Sequence, residues 1–89
     1  MANQVISAGQ AVTPTSGSAQ QAVPRSGQLL GFYASATTTV VIYDAAATTN
    51  LPTAKLNATA CAVGWNPFPL EFLNGLVTNC GAAVTFIFN

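Results

Sequence analysis

Apolar side chains alternate with polar or small ones over most of the chain beyond residue 27, and the period is two. That is the signature of half-buried β-strands. In the first such stretch Leu30, Phe32 and Ala34 share one face, and Leu29, Tyr33 and Ser35 the other. A turn near Ala36–Thr37 leads into TTVVIYD, where Val40 and Ile42 oppose Val41 and Tyr43. β-Branched and aromatic residues on both sides predict a strand covered on both faces. Asp44 is placed to cap a single helical turn over AAATTN, which Pro52 keeps short. Residues 54–63 alternate weakly and predict a further strand. In NPFPLEFLNGL, residues 66–76, Phe68, Leu70 and Phe72 face the core, while Pro69, Glu71 and Leu73 face away. Proline donates no ladder hydrogen bond, so Pro67 and Pro69 predict an edge strand. Asn74-Gly75 is the strongest hairpin signal, read as a type I′ turn whose central residues need positive φ. Such a turn pairs Leu73 with Leu76 and Glu71 with Thr78, the wetter side, and leaves Leu73 and Leu76 outward and uncovered. A second turn at Asn79-Cys80-Gly81 precedes AAVTFIFN, with Val84, Phe86 and Phe88 on one face. Five or six short strands with regular turn signals predict an all-β fold, a small antiparallel sandwich or barrel.

Residues 1–27 read differently. They are rich in Ser, Gln, Ala, Gly, Thr and Pro, and they hold no aromatic residue. Val5, Ile6, Val12 and Val23 are their sizeable branched side chains, too few to offset ordering entropy alone. The expectation is an extended, largely irregular N-terminal arm over 1–27 and a β-sandwich domain over 28–89. Short strands are expected near Val5–Ile6 and Gln10–Thr13. The stretch Pro24–Gly27 marks the boundary, and the arm orders by adding to a sheet or lying on a partner.

Composition changes the picture from fold to habit. Charged residues are 4% of the 89, namely Arg25, Asp44, Lys55 and Glu71, and there is no histidine. Ordinary soluble domains carry about 25%. So little charge in so small a chain points to life inside an assembly. Two basic residues cannot supply the phosphate contacts that nucleic-acid binding needs. No apolar run reaches the roughly 18–20 residues of a membrane span. The N-terminus has neither a basic nor an apolar signal region, so synthesis and assembly in a cytoplasm are expected. Catalysis by a nucleophile and base lacks its histidine, phosphate-cradling glycine loops are missing, and neither catalytic residue nor cofactor is expected. Cys61 and Cys80 cannot complete a four-ligand zinc site. Either they are buried thiols acting as small hydrophobes, or a disulfide closes the loop between them. Trp65 reads as core or subunit interface, with a sugar- or peptide-binding face as the alternative.

Four segments together carry a resemblance: Gly27-Gln28-Leu29-Leu30-Gly31-Phe32, Val40-Val41-Ile42-Tyr43-Asp44, Pro69 with Phe72-Leu73-Asn74-Gly75-Leu76-Val77, and Gly81-Ala82-Ala83-Val84-Thr85-Phe86. Residues 27–89 thereby resemble small β-structured accessory virion proteins of tailed bacteriophages, of the capsid decoration, cement or fibre-like kind. The resemblance implies a sandwich that associates, often as homotrimers, on a capsid or tail. Its partners would be copies of itself and the major capsid protein or other virion proteins, and its location the virion. A tail, baseplate or head-fibre component touching a host receptor is the alternative. A cellular adhesion or sugar-binding module ranks behind both, since no secretory signal is present. Val5, Ile6, Val12, Val23, Trp65, Leu73 and Leu76 are the candidate contact residues.

Overall fold

A computed structural model describes residues 9–89. Val5 and Ile6, both as a strand and as contact candidates, lie outside them. Among the described residues alternation becomes eight strands: β1 (Gln10–Val12), β2 (Gln20–Val23), β3 (Gly27–Ala34), β4 (Thr38–Asp44), β5 (Leu56–Cys61), β6 (Gly64–Phe72), β7 (Leu76–Cys80) and β8 (Val84–Phe88). They form two four-stranded antiparallel sheets, ordered β1-β8-β3-β6 and β2-β7-β4-β5. The architecture is the expected small β-sandwich.

The core lies between the sheets. Leu29, Phe72 and Phe86 fill it from one side, and Val23, Val40, Ile42 and Leu76 from the other, each 2% exposed or less. Phe32 and Phe86 pack as a tilted ring pair with centroids 5.6 Å apart. β4 and β8 follow the predicted parity, and β8, β3, β7 and β4 are the inner strands. β6 is an edge strand, as its two prolines require. Its partly buried Phe68 and Leu70 pack on the core, and Pro67, Pro69 and Glu71 are exposed.

Three expectations are corrected. Strict alternation put Leu29 opposite Phe32, yet both are buried. The β3–β8 register shifts between Leu29 and Gly31, so β3 has one extra residue there and Leu29 swings to the core face. No helical turn follows Asp44: residues 45–55 are an irregular connection, and Asn50 sits at φ 53, a region asparagine tolerates. Most consequentially, Asn74-Gly75 closes no hairpin. β6 belongs to one sheet and β7 to the other, so Leu73–Gly75 is a corner between sheets. Glu71 pairs with Gln28, and Thr78 with Gln20 and Ile42. Thr78 is fully buried rather than wet, and so is Leu76. Gly75 has φ 150 and Asn74 is not at positive φ, so the turn is not type I′.

Residues 10–23 do not stand apart as an extended arm. β1 pairs with β8 and β2 with β7, one edge strand for each sheet. Val23 plugs the core at 2% exposure, while Val12 is half-buried against it. A lone segment cannot pay its ordering entropy, but the open edges of β7 and β8 supply backbone partners that local composition does not reveal.

Candidate interaction surface

The strands run between two ends, and the connections sort accordingly. Residues 24–26, 45–55 and 73–75 close one end; 13–19, 35–37, 62–63 and 81–83 close the other. All four charged side chains fall at the first. Arg25 is in its β2–β3 connection, Asp44 ends β4, Lys55 precedes β5, and Glu71 pairs with Gln28 near the start of β3.

Asp44 organises this charged end. It is only 9% exposed. The backbone N–H groups of Leu73 and Asn74 donate to its two carboxylate oxygens at 2.9 and 2.8 Å. Burial alone pushes its carboxyl up. The amides of Leu73, Asn74 and Gly75, helped by the Lys55 charge, outweigh that and hold it below the ordinary value. The residue that reads as a helix cap thus caps a β corner, taking the Leu73 amide that a hairpin would have paired with Leu76 and the Asn74 amide beside it. Gly75 completes the joint. Its carbonyl accepts from Ala45 N–H at 3.1 Å, and a Cβ there would meet the carbonyl oxygens of Ala45 and Val23 at 2.7 and 2.8 Å. Gln21 reaches the same spot, donating through Nε2 to Val23 O at 2.8 Å. Arg25 lies 5.6 Å from the centre of the Phe88 ring.

The opposite end has no charged side chain. Its loops are Ser, Thr, Ala and Gly with one Pro and one Val, and backbone bonds tie them together: Gly17 N–H to Cys80 O at 2.8 Å and Gly81 N–H to Thr39 O at 3.0 Å. Among the described residues, three of the four exposed large apolar side chains are here, Tyr33 (55%), Val63 (62%) and Trp65 (49%). Tyr33 and Trp65 are cross-strand partners on the outer face of β3 and β6. The indole lies over Gly31, whose added Cβ would meet Trp65 Cζ2 and Cη2 at 2.7 Å. A side chain at 31 would lift the ring; glycine lets it lie along the sheet. From Trp65 the exposed prolines 67 and 69 continue the apolar strip along β6.

The candidate contact residues therefore separate. Trp65 is exposed at the uncharged end and Leu73 (68%) at the charged end, while Val23 and Leu76 are core. Tyr33 and Val63 join Trp65 and were missed. Tyr33 stands on the face of its strand opposite Phe32 and Ala34, and that parity is the signal that could have found it. Cys61 and Cys80 are free and buried. They sit on β5 and β7 with β4 between them, so their backbones are about 10 Å apart by strand spacing, beyond the roughly 7 Å a disulfide spans. Burial raises the Cys61 thiol, and it pushes Cys80 up to about 11. The buried Thr78 hydroxyl makes no hydrogen bond of ordinary geometry, but its proximity to the Cys80 thiol offsets part of that rise.

The described residues enclose no pocket and gather no group of three or more His, Cys, Asp or Glu. No helix among them is long and apolar enough to cross a membrane. No protein-family model, curated protein or solved structure matches the chain.

Proposed function

We propose that this chain is a non-catalytic structural subunit of a tailed-phage virion that decorates the capsid and cements neighbouring capsomers as a homotrimer. The observation that carries the reading is the uncharged end with its exposed Tyr33, Val63 and Trp65. Aromatic anchors in a patch free of charge are the composition of a protein contact core. Burying such a patch against capsomers stabilises the contact by about 25 cal/mol per Å² of apolar area before ordering costs. The near absence of charge fits a protein held in an assembly. The resemblance of residues 27–89 supplies the address.

Particles made with and without the chain test this. Particles lacking it should release DNA at lower temperature, and adding the purified chain should restore them. Equal release temperatures would overturn the reading. The exposed indole also favours a second reading, a tail or head-fibre component whose Trp65 meets a host receptor. Copy number separates the two: hundreds per particle for a cement, a few dozen or fewer for a tail part.

A further inference from the structure

We infer that the N-terminal strand pair, β1 and β2, is an exchangeable clasp, so that a second copy of this chain can supply it to the sandwich in place of the chain's own. The seat is fully described because the chain's own segment occupies it. β1 lies on the edge of β8 through Gln10↔Phe88, Ala11↔Ile87 and Val12↔Phe86. β2 lies on the edge of β7, with Val23 in the core and Gln21 tied to the Val23 carbonyl. Thr13 and Thr85 share a hydroxyl hydrogen bond of 2.8 Å, and Gly17 N–H reaches Cys80 O.

Three features make this segment, and no other strand pair, the one that moves. First, it supplies the outermost strand of both sheets on one side, so it leaves without breaking an inner ladder. Second, it carries little apolar surface: only Val23 is buried, with Val12 and Ala22 packed against the core. Third, one short connection, Pro24-Arg25-Ser26, joins it to β3 in the opposite sheet. Proline and its predecessor favour extended backbone. Straightening these three residues would make 20–34 one continuous extended stretch that delivers β1 and β2 to a neighbour. Every contact is the same in the exchanged form, so the balance depends on the hinge and on concentration. The chain's own segment acts at an effective concentration in the millimolar range, which a concentrated solution of the chain can rival. Exchange that does not close on itself links copies in a row. The inference concerns the isolated chain and does not depend on the virion reading.

Ala11 and Ile87 are register partners on the outer face of their sheet, so the full-length Ala11→Cys/Ile87→Cys variant reports whose strand is seated. Oxidised after dilution, it should give a cross-linked monomer. Oxidised after warming at millimolar concentration, it should give covalent dimers and ladders absent from the Ala11→Cys control. Cross-linked monomer alone at every concentration would overturn the proposal. If the variant does not fold, the unmodified chain decides by light scattering. Dimers formed on concentration should persist after dilution for the time unfolding takes, and two glycines inserted after Arg25 should abolish them. A chain that stays monomeric throughout, or dimers indifferent to the inserted glycines, would refute the clasp.

Discussion

The two ends of this sandwich are built by opposite means. At one end a buried carboxylate gathers backbone amides from a corner between sheets, and every charged side chain of the protein lies nearby. At the other, small residues close the loops through backbone bonds such as Gly17 N–H to Cys80 O. There the large side chains Tyr33, Val63 and Trp65 are turned outward. Fold-determining polar chemistry is concentrated where little apolar surface shows, and apolar surface shows where the fold asks for no polar chemistry. Substitutions at the charged end should therefore change stability. At the uncharged end they should change association.

The largest effect belongs to Gly75. Gly75→Ala puts a methyl within 2.7–2.8 Å of two carbonyl oxygens and requires a side chain at φ 150. Backbone strain and overpacking each cost about 1–3 kcal/mol, so the loss should be roughly 2–6 kcal/mol. Urea unfolding read by Trp65 fluorescence checks it. A loss under about 1 kcal/mol would mean that the corner yields freely and that the two ends are alike in stiffness.

Asp44 comes next. Asp44→Asn keeps one acceptor oxygen but surrenders the charge that faces the amides of Leu73 and Asn74, and hydrogen bonds to charged groups are worth about 1.5–3 kcal/mol. The carboxyl is held below its ordinary value of 3.8 in the fold. Its stabilisation is therefore present above pH 3.8 and lost as pH falls through the lowered folded value. Unfolding midpoints at neutral pH should separate the parent from the variant, and the gap should close in strong acid. A gap unchanged in acid would show that charge plays no part in holding the corner.

These same residues mark the limit of what was legible in the sequence. Parity placed Phe72 on the core face and grouped Phe86 with Val84 and Phe88, and Val40 with Ile42, because side chains of a strand alternate whatever the strand's partner. Which face of β4 and β8 meets the core follows only from the two sheets. The two prolines located the β6 edge. What failed was partner choice. Asn-Gly favours a two-residue hairpin locally, but a corner held by Asp44, 29 residues away from Leu73, competes through tertiary contacts that no short window contains. The β3 bulge was half legible: Gly31 reads as a bulge glycine, but the extra residue, and with it the swing of Leu29 to the core face, exists only relative to β8. For the candidate site, Leu73 was legible as an outward residue and Trp65 only as core or interface, whereas the exposure of Trp65 and the gathering of charge at one end need the strand partners and directions to be known.

Cys80 is the exception at the uncharged end: it is the last residue of β7, but its thiol is buried between the sheets, so its smaller effect is on stability. Its thiol titrates at about 11 in the fold against an ordinary value of 9.0. A raised value contributes stability that is complete below pH 9.0 and lost as pH rises through the folded value. At pH 10 the loss should be about 1.4 kcal/mol, one pKa unit's worth. Cys80→Ala should flatten the curve between pH 9 and 11, at the cost of a small cavity. A thiol reagent should label the native protein only slowly at neutral pH. Fast labelling would mean that the β7 region opens without global unfolding.

The smallest effect on stability is expected where assembly should suffer most. Trp65 is 49% and Val63 62% exposed, so Trp65→Ala and Val63→Asp should each change the unfolding free energy by less than about 1 kcal/mol. Contact-core aromatics nonetheless cost more than about 1–2 kcal/mol in association when truncated, a tenfold or greater loss of binding. Leu73→Asp is the matched control. It is equally exposed and apolar, but it stands at the charged end, where one more carboxylate joins Arg25, Lys55, Asp44 and Glu71. Binding of purified chain to stripped particles, measured for all three, should fall for Trp65→Ala and Val63→Asp and hold for Leu73→Asp. Equal losses would mean that the apolar surface of both ends makes contacts. No loss at either would leave the exposed indole serving another partner, and the asymmetry of the molecule would lie in its folding alone.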